Sequence, residues 1–377
     1  MTALQQHFIG LMSGTSLDGV DGVVLQQSAN GFRVTHAHHL PMPMALRKSF
    51  LDLNSSGPDE LHRAALATNG LMQCHAQVVH ALLNKSGLAA TDITAIGVHG
   101  QTVRHQPGPV GSKADLHTPW HAYSVQLCNP ALLAELCGTT VVADFRSRDV
   151  AAGGQGAPLV PAFHQAAFGR ESEWVAVVNV GGMANATLLG PQGEVSGFDT
   201  GPGNVLMDMW CEAHTGQAFD ANGAWAATGR VSDALLSELL AEPYFAQQGA
   251  RSTGRDLFNR PWLDARLACV GALPPNDVQA TLLALTAHTI AVSLPKGLTR
   301  CMVCGGGALN TALMAALQHR LPQTPVMPTD AAGMPAMQVE AAAFAWLASR
   351  TLAGLPGNVP EATGALGLRV LGAIYPA

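Results

Sequence analysis

The chain has 377 residues and a formal net charge of −6 at pH 7, with 48% hydrophobic and only 12% charged residues. This length exceeds what one ordinary hydrophobic core accommodates, so we expect two domains. The sequence contains no run of Lys or Arg, which argues against a nucleic-acid partner. No apolar run reaches the length of a membrane span, and the N-terminus lacks the basic and apolar regions of a signal peptide. We therefore expect a soluble, cytoplasmic protein that does not bind membranes.

Seven cysteines and fifteen histidines raise the question of a metal or redox site. The odd number of cysteines, spread along a long chain, indicates reduced and mostly buried thiols. The pair Cys301-x-x-Cys304 lies within a strand pattern, so we interpret it as part of a core strand. The cluster His36-x-His38-His39 has no cysteine or acidic partner at ligand spacing. We interpret it as a surface or strand segment rather than a metal site.

The first informative segment, residues 8–25, contains an apolar strand, a turn rich in glycine and hydroxyl side chains, and a second apolar strand. Glycines permit a tight turn and the close approach of a ligand to the backbone. Exposed N–H groups and the hydroxyls of Ser13, Thr15 and Ser16 can then bind phosphate oxygens. The lysine of a P-loop is absent, and the residues after the turn alternate like a strand rather than a helix. The residues expected to bind ATP here are Gly14, Thr15, Ser16, Leu17, Asp18, Gly19, Val20 and Asp21.

Helices and strands alternate along the next part of the chain, a pattern that is typical of α/β layers. The predicted elements are a helix over residues 59–83, a strand over 93–98, a helix that starts at Asn129-Pro130, and a strand over 139–143. The strand over 93–98 delivers His99 to a loop. The strand over 139–143 ends on Asp144.

A second strand–turn–strand pattern follows at residues 174–189, and its turn contains Gly181 and Gly182. Farther on, a strand over 301–304 runs into a glycine triplet, which precedes a predicted helix over 308–317. Three positions without side chains let a flat ligand lie against the backbone at a helix N-terminus. Two hairpins and a glycine triplet in this order indicate nucleotide binding. The residues expected to bind ATP are Gly181, Gly182, Gly305, Gly306 and Gly307. Further helices are predicted over 232–241, 277–294 and 339–352.

This order of motifs resembles the superfamily of actin, the sugar kinases and the ATP-driven chaperones, and more closely the anhydro-N-acetylmuramic acid kinase family. The segments that carry the closer resemblance are residues 10–21, His99-Gly100-Gln101-Thr102-Val103-Arg104-His105, residues 143–161, residues 197–208 with the motif Gly197-Phe198-Asp199-Thr200-Gly201-Pro202-Gly203-Asn204, and Thr363-Gly364-Ala365-Leu366-Gly367. Together they span nearly the whole chain. One departure is the segment between Pro107 and His121, which looks longer than the family usually has.

The resemblance implies an actin-like (ribonuclease H-like) α/β fold, in which two duplicated domains form an ATPase with a central cleft. We place the first domain at residues 1–130 plus about 356–377, and the second at 131–355. We expect the domains to close around substrate, because closure excludes water from the reaction.

Asp199 is the candidate catalytic residue. It precedes a turn flanked by glycines, where catalytic carboxylates are often positioned. From the residues alone, it is equally well explained as the cap of a helix that begins near Val205. The resemblance implies the catalytic role, because the aspartate of this motif is the family's base.

Three further residues are candidates for sugar binding. Arg148 has the planar guanidinium that matches a carboxylate, such as the one on the lactyl ether of a muramic sugar. Asp144 and Asp149 flank Arg146 and Arg148, however, and a structural ion-pair network explains the four residues as well.

His99 follows a strand and Glu340 begins an apolar helix, so a structural histidine and a favourable helix-dipole charge are the ordinary explanations for them. By resemblance we assign His99, Arg148 and Glu340 to the substrate. Asp18 and Asp199 are the expected Mg²⁺ ligands, directly or through water.

The family's reaction opens the 1,6-anhydro ring of 1,6-anhydro-N-acetylmuramic acid and phosphorylates O6 with ATP, giving N-acetylmuramic acid 6-phosphate and ADP. The resemblance therefore implies a role in the recycling of cell-wall sugars, with ATP and Mg²⁺ as cofactors and a homodimer as the usual assembly. Two alternatives remain open. One is an ordinary amino-sugar kinase, and the other is a chaperone-like or filament-forming ATPase without a small substrate.

Overall fold

The computed structural model describes residues 5–29, 31–108, 121–247, 253–254 and 257–377. The chain divides into two compact units. The first comprises Met1–Phe163 and Gln338–Ala377, and the second comprises His164–Met337. The longer segment noted between Pro107 and His121 lies for the most part outside the described residues.

The first unit contains eight strands, six complete helices and the start of a seventh helix within its described residues. Its strands are β1 (Gln6–Met12), β2 (Gly19–Ser28), β3 (Gly31–Pro41), β4 (Ile93–Val98), β5 (Gln101–Gln106), β6 (Tyr123–Leu127), β7 (Val141–Ala143) and β13 (Ala373–Tyr375). Its helices are α1 (Met44–Asp52), α2 (Glu60–Ser86), α3 (Pro130–Cys137), α4 (Ser147–Ala151), α11 (Val339–Leu352) and α12 (Pro360–Thr363), and the division falls within α5 (Val160–Phe168). Short 3₁₀ turns complete the unit.

Six of these strands form one sheet, in the order β13-β7-β4-β1-β2-β3. β1, β2 and β3 form an antiparallel meander, and β4 and β7 extend it in parallel with β1. The predicted hairpin over residues 8–25 and the predicted strand over 93–98 are confirmed. β5 and β6 form a separate two-stranded sheet, which begins immediately after His99 and Gly100.

Helices cover both faces of this sheet. Leu11 and Gly22 face α2, where a Cβ on Gly22 would overlap Val78. Gly10 points to the opposite face, because successive strand residues alternate, and there it contacts the backbone of α11. The sheet therefore packs between α2 and α11, and its core side chains are fully buried.

The second unit contains five strands and five complete helices within its described residues. Its strands are β8 (Val175–Val180), β9 (Met183–Leu189), β10 (Val195–Pro202), β11 (Arg300–Cys304) and β12 (Val326–Pro328). Its helices are α6 (Val205–Thr215), α7 (Asp233–Leu240), α8 (Arg260–Val270), α9 (Pro275–Ser293) and α10 (Thr311–Arg320). The five strands form one sheet in the order β10-β9-β8-β11-β12.

The two sheets repeat one topology. In each, three consecutive strands form an antiparallel meander, and two later strands lie in parallel beside the first strand of that meander. The orders β3-β2-β1-β4-β7 and β10-β9-β8-β11-β12 therefore correspond strand by strand. The expected duplicated, actin-like α/β fold is confirmed by this correspondence.

The division between the units differs from the one expected from sequence. Residues 131–163 lie with the first unit, because β7 pairs with β4 in its sheet. Residues 338–355 also lie there, because α11 packs on β1 and β4. The sequence placed both segments in the second domain, since long-range strand pairing leaves little trace in local composition.

The remaining expectations from composition can be compared with the described residues. Among them, no helix is both long enough and apolar enough to span a membrane. No disulfide joins any of the seven cysteines within the described residues, and Cys301 and Cys304 are buried in β11, as the core-strand interpretation predicts. His36, His38 and His39 lie on the edge strand β3.

Candidate functional site

The turn between β1 and β2, residues 13–18, is the expected phosphate-binding element of the first unit, and we call it the phosphate turn. The side chains of Thr15, Ser16 and Asp18 are exposed, whereas Leu17 and Val20 are buried in the core. Leu17 adopts a positive φ of 55°, and its N–H donates to the carbonyl of Gly14 at 3.2 Å. The N–H groups of Thr15 and Ser16 have no partner within the described part of the chain. The turn thus presents free donors of the kind that a phosphate accepts.

Two of the three hydroxyls expected to reach phosphate are already used. Ser13 is buried and donates its Oγ–H to Oε1 of Gln101. Ser16 donates to Oδ1 of Asp18 at 2.7 Å, and the same oxygen accepts from the N–H of Gly19 at 3.1 Å. The hydroxyl of Thr15, in contrast, has no hydrogen-bond partner among the described residues.

The His99-Gly100-Gln101 segment is bonded to this turn. The N–H of His99 donates to the carbonyl of Leu11 at 3.1 Å, and Nδ1 lies 3.2 Å from the carbonyl of Ser13. Gln101 Nε2 donates to the carbonyl of Gly14 at 3.2 Å. The conformation of the phosphate turn is therefore fixed by the residues that follow β4.

The contacts of the His99 ring assign its tautomer. Arg146 donates to Nε2 at 2.7 Å and Gln126 donates to the same nitrogen at 2.9 Å. Nε2 is therefore the acceptor, and Nδ1–H donates to Ser13. Burial, reinforced by the charge of Arg146, lowers the pKa of His99 to about 3, so the ring stays neutral. Because both ring nitrogens have protein partners, the geometry favours a positioning role over direct contact with sugar.

Residues 144–156 form a loop that includes the short helix α4, and this loop carries the two arginines. Arg148 is exposed and makes no hydrogen bond or ion pair within the described part of the chain. Asp149 is fully buried and accepts hydrogen bonds from the Gly156 N–H, Asn358 and Thr363. The alternative of an ion-pair network among the two aspartates and two arginines is wrong for these described residues. Asp149 instead joins the loop to the C-terminal segment.

Glu340 lies in the first turn of α11, as its position in the sequence predicts. Its carboxylate has no hydrogen-bond partner among the described residues. Burial raises its pKa, and the carboxylates of Asp21 and Asp18 raise it further, while Arg146 opposes them. The charges of Asp21, Asp18 and Arg146 therefore all act on Glu340, whose carboxylate is available as an acceptor.

In the second unit, the turn at Gly181 and Gly182 packs against the start of α6. The Gly182 carbonyl accepts from the N–H groups of Gly203 and Val205 at 2.9 and 3.1 Å, and the Gly181 carbonyl accepts from the Asn204 N–H at 2.8 Å. A Cβ on Gly203 would overlap the Gly181 carbonyl. This close packing explains why residue 203 is a glycine.

The glycine triplet lies beside the same turn. Gly305 has a φ of 75°, and a Cβ there would overlap the side chain of Asn179, while a Cβ on Gly307 would overlap Val180. The triplet continues into a single 3₁₀ turn, Gly306–Leu309, and α10 begins only at Thr311. The expected helix N-terminus at the triplet is therefore wrong. The side-chain-free backbone is present, but the helix begins later.

Asp199 lies within β10, beside a bulge between Asp199 and Gly201. Its Oδ2 accepts from the Thr253 N–H at 2.9 Å, and its backbone carbonyl accepts from the Tyr244 hydroxyl at 2.9 Å. A bulge re-aims a side chain at a strand end. The alternative that Asp199 caps α6 is wrong, because the residue at the N-cap position is Asn204.

The donor set near the phosphate turn is compatible with Mg²⁺. This ion usually takes one or two carboxylates and completes its octahedron with phosphate and water. No group of three His, Cys, Asp or Glu side chains among the described residues is arranged to hold a metal alone. Asp18 keeps Oδ2 without a hydrogen-bond partner in the described part of the chain. One free carboxylate oxygen fits an ion that is held mainly by the nucleotide.

Sequence comparison shows the relationship of this chain to known proteins. The family model for anhydro-N-acetylmuramic acid kinase (AnmK) matches residues 6–377. The chain belongs to this family. An anhydro-N-acetylmuramic acid kinase of Bordetella petrii is 57% identical over 377 residues, covering 98% of this chain and 96% of the relative. The relative of the same name from Pseudomonas paraeruginosa is 52% identical over 379 residues, covering 99% and 100%.

The fold is also similar to that of a solved structure, component A of the Acidaminococcus fermentans (R)-2-hydroxyglutaryl-CoA dehydratase. The alignment covers 90% of this chain and 96% of the dehydratase component. The TM-score is 0.47 and the identity 10%. The assignment of the fold rests on the matching strand orders of the two units and not on this alignment.

Several residues that shape the site were not predicted from sequence. Gln101 and Gln126 orient Ser13 and His99, and Arg146 holds the loop against His99. Gln101 lies in the His-Gly-Gln motif and Arg146 in the Asp-Phe-Arg-Ser-Arg motif, so these two motifs could have identified both residues. Gln126 gives no such signal, because it reaches His99 only through the pairing of β5 with β6.

Proposed function

We propose that this protein is an ATP-dependent kinase that opens the anhydro ring of 1,6-anhydro-N-acetylmuramic acid and phosphorylates O6. Membership of the AnmK family over residues 6–377 is the observation that carries the proposal. The products are N-acetylmuramic acid 6-phosphate and ADP. Such a reaction belongs to the recycling of cell-wall sugars and the catabolism of amino sugars.

The two chemical steps share one oxygen atom. Asp199 takes a proton from a water molecule, which attacks the anomeric carbon and breaks its bond to the bridging oxygen. That oxygen leaves as O6 and attacks the γ-phosphorus of ATP, and ADP departs. Because the phosphate acceptor is also the leaving group, little free alkoxide accumulates. The positions of the reacting groups and the stabilisation of their charge supply most of the catalysis.

Each unit supplies different groups to this reaction. In the first unit, the turn over residues 14–21 binds phosphate, while Arg148 and Glu340 bind the sugar and His99 supports them. In the second unit, Asp199 is the base, and the backbone at Gly181-Gly182 and residues 305–307 binds ATP. The Thr253 N–H supports the carboxylate of Asp199, since a donor to a carboxylate stabilises its ionised form.

Mg²⁺ would be held by ATP phosphates together with Asp18 and Asp199, directly or through water. When bound, the ion neutralises charge that develops on the phosphate oxygens. We further propose that the protein is cytoplasmic and forms a homodimer. Light scattering on the purified protein would test the homodimer.

The deciding experiment measures ADP release from the protein with Mg-ATP, using a coupled assay. Turnover with 1,6-anhydro-N-acetylmuramic acid but not with N-acetylmuramic acid is the expected result. Equal turnover with both sugars would instead establish an ordinary amino-sugar kinase, in which Asp199 deprotonates a hydroxyl. ATP hydrolysis that no sugar stimulates would favour an ATPase without a small substrate.

A further inference from the structure

Arg146 is a largely buried cation that is held in a fixed orientation. One terminal nitrogen, Nη1, donates to the carbonyl of Gly156, and the other, Nη2, donates to Nε2 of His99 at 2.7 Å. The remaining nitrogen, Nε, is buried and has no hydrogen-bond partner among the described residues. A guanidinium carries five N–H donors. Three of the five on Arg146 are therefore unused within the described structure.

The acids around Arg146 do not pair with it. Asp149 uses both carboxylate oxygens on Gly156, Asn358 and Thr363. Glu340 attracts the guanidinium but makes no hydrogen bond or ion pair with it in the described structure. Burial outweighs both attractions and lowers the pKa of Arg146 to about 10. A buried charge without a directly bonded counter-ion is costly unless a ligand compensates it.

We propose that Arg146 binds the carboxylate of the lactyl group on the sugar substrate. This inference rests on the proposed function, since it concerns the substrate of the same site. It assigns to Arg146 the contact that the sequence assigned to Arg148. The unused donors on Nε and Nη form the side of the fork that matches the two oxygens of a carboxylate.

The surroundings of the two arginines favour Arg146 for this contact. Arg148 is exposed, so water screens its charge and its side chain must lose conformational freedom on binding. Arg146 is already held by His99, whose neutral ring accepts from it and donates to Ser13 in the phosphate turn. His99 is thus a positioning residue that fixes the guanidinium. A fixed and desolvated donor binds an anion more strongly than a mobile, hydrated one.

The test compares binding of two ligands by calorimetry in the absence of ATP. One ligand is 1,6-anhydro-N-acetylmuramic acid, and the other is its lactyl carboxamide, which has almost the same shape without the charge. The wild-type protein should bind the acid roughly 10- to 100-fold more tightly than the amide, as expected for a charge-assisted pair. Arg146→Gln should bind both ligands with similar affinity, while Arg148→Gln weakens both alike and keeps the preference for the acid.

The opposite pattern, in which Arg148→Gln loses the preference and Arg146→Gln keeps it, overturns the inference. So does a wild type that binds the two ligands equally. If Arg146→Gln does not fold, as judged by circular dichroism, Arg146→Lys serves in its place, because it keeps a cation but not the fork. Lysine should retain only part of the preference, and an unchanged preference would count against Arg146.

The same data separate this inference from the proposed function. A wild type that binds the acid through Arg146 but releases no ADP with it would refute the proposed reaction and leave the carboxylate contact established. A wild type that turns the acid over while Arg146→Gln keeps the full preference would support the reaction and refute the contact.

Discussion

Gly10 in β1 faces the carbonyl oxygen of Ala341 in α11 so closely that a Cβ on Gly10 would overlap it. Gly97 in β4 meets the carbonyl of Phe344 in the same way. Two glycines on neighbouring strands thus let the helix backbone rest on the sheet. Glu340 lies one residue before Ala341, so this contact also sets the position of a proposed sugar-binding residue.

Replacing Gly10 with alanine should destabilise the protein strongly. The added methyl group meets backbone atoms, which cannot turn aside as a side chain does, so we expect a loss of about 3 kcal/mol in the free energy of unfolding. Urea denaturation would measure it. Gly70→Ala is the matched control, because Gly70 lies inside α2, where its Cβ would be 3.4 Å from Leu46. That variant should be unchanged or stabilised by up to about 1 kcal/mol, since alanine favours helix.

Asp199→Asn should abolish most of the activity without harming the fold. The amide oxygen of asparagine can still accept from the Thr253 N–H, but the amide cannot take a proton from water. We expect kcat to fall by roughly 10²- to 10⁴-fold, the usual contribution of a general base. The measurement is ADP release with the anhydro-sugar.

The control for this change is Asp264→Asn, which alters an exposed carboxylate of the same unit that pairs with Arg260. Its kcat should match the wild type. An Asp199→Asn protein that is as active as the control would exclude Asp199 as the base.

Local signals in the sequence predict much of this fold. The helix predicted over 59–83 is present as α2, and Gly87 ends it in the left-handed conformation that glycine favours. The helix predicted over 339–352 matches α11. The helix after the glycine triplet is misplaced at its start, although the cap was visible: Asn310 accepts from the Leu313 N–H at 3.0 Å.

The site was less predictable, because its properties depend on long-range contacts. The motifs identify His99 and Asp149 as notable residues, but only the structure shows that both are saturated with hydrogen bonds from distant residues. The sequence likewise could not decide whether Arg146 or Arg148 binds the carboxylate of the sugar. Burial distinguishes them, and burial of neighbouring loop residues is not encoded in their spacing.

Glu340→Gln should make the protein more stable and less active. The pKa of Glu340 is raised by burial and by Asp21 and Asp18. The carboxyl group of Glu340 therefore stays protonated to a higher pH in the folded protein than in the unfolded chain. This difference stabilises the folded protein fully below pH 4.5, and the stabilisation is lost as the pH rises through the pKa of the folded protein. A glutamine at this position does not ionise and therefore does not lose this stabilisation. The midpoint of thermal unfolding at pH 8 should be higher in Glu340→Gln than in the wild type. A replaced functional carboxylate often has this effect.

The activity of Glu340→Gln provides the second half of this prediction. The amide loses a charged acceptor for sugar hydroxyls, so we expect KM for the anhydro-sugar to rise roughly tenfold, as for one hydrogen bond to a charged group. The gain in thermal midpoint should shrink at pH 4, where both states of the wild type are largely protonated. A variant that melts lower than the wild type at pH 8 would show that Glu340 is a stabilising charge and not a strained acceptor.

His75 provides a test of how buried histidines set the acid stability of the protein. The side chain is fully buried in α2, and both ring nitrogens lack a hydrogen-bond partner among the described residues. Burial lowers its pKa to about 3. Since the unfolded chain protonates near pH 6.5, it binds a proton that the folded protein does not, and stability falls as pH drops from 6.5 towards 3.

His75→Leu removes this source of acid sensitivity. Between pH 6.5 and pH 5, one such histidine contributes a loss of about 2 kcal/mol. The drop in the free energy of unfolding from pH 7.5 to pH 5 should therefore be about 2 kcal/mol smaller in His75→Leu than in the wild type. Urea denaturation at the two pH values measures both drops. Part of the drop remains, because burial also lowers the pKa of His99 and of His164 to about 3.

The control is His62→Gln, which changes an exposed histidine on the same helix and should leave the drop as in the wild type. An equal drop in His75→Leu and His62→Gln would mean that His75 takes up a proton in the folded protein. The ring would then need an acceptor or a water molecule beside it. In that case the acid sensitivity would have to come from other buried histidines such as His99, whose Nε2 would lose its hydrogen bonds from Arg146 and Gln126 on protonation.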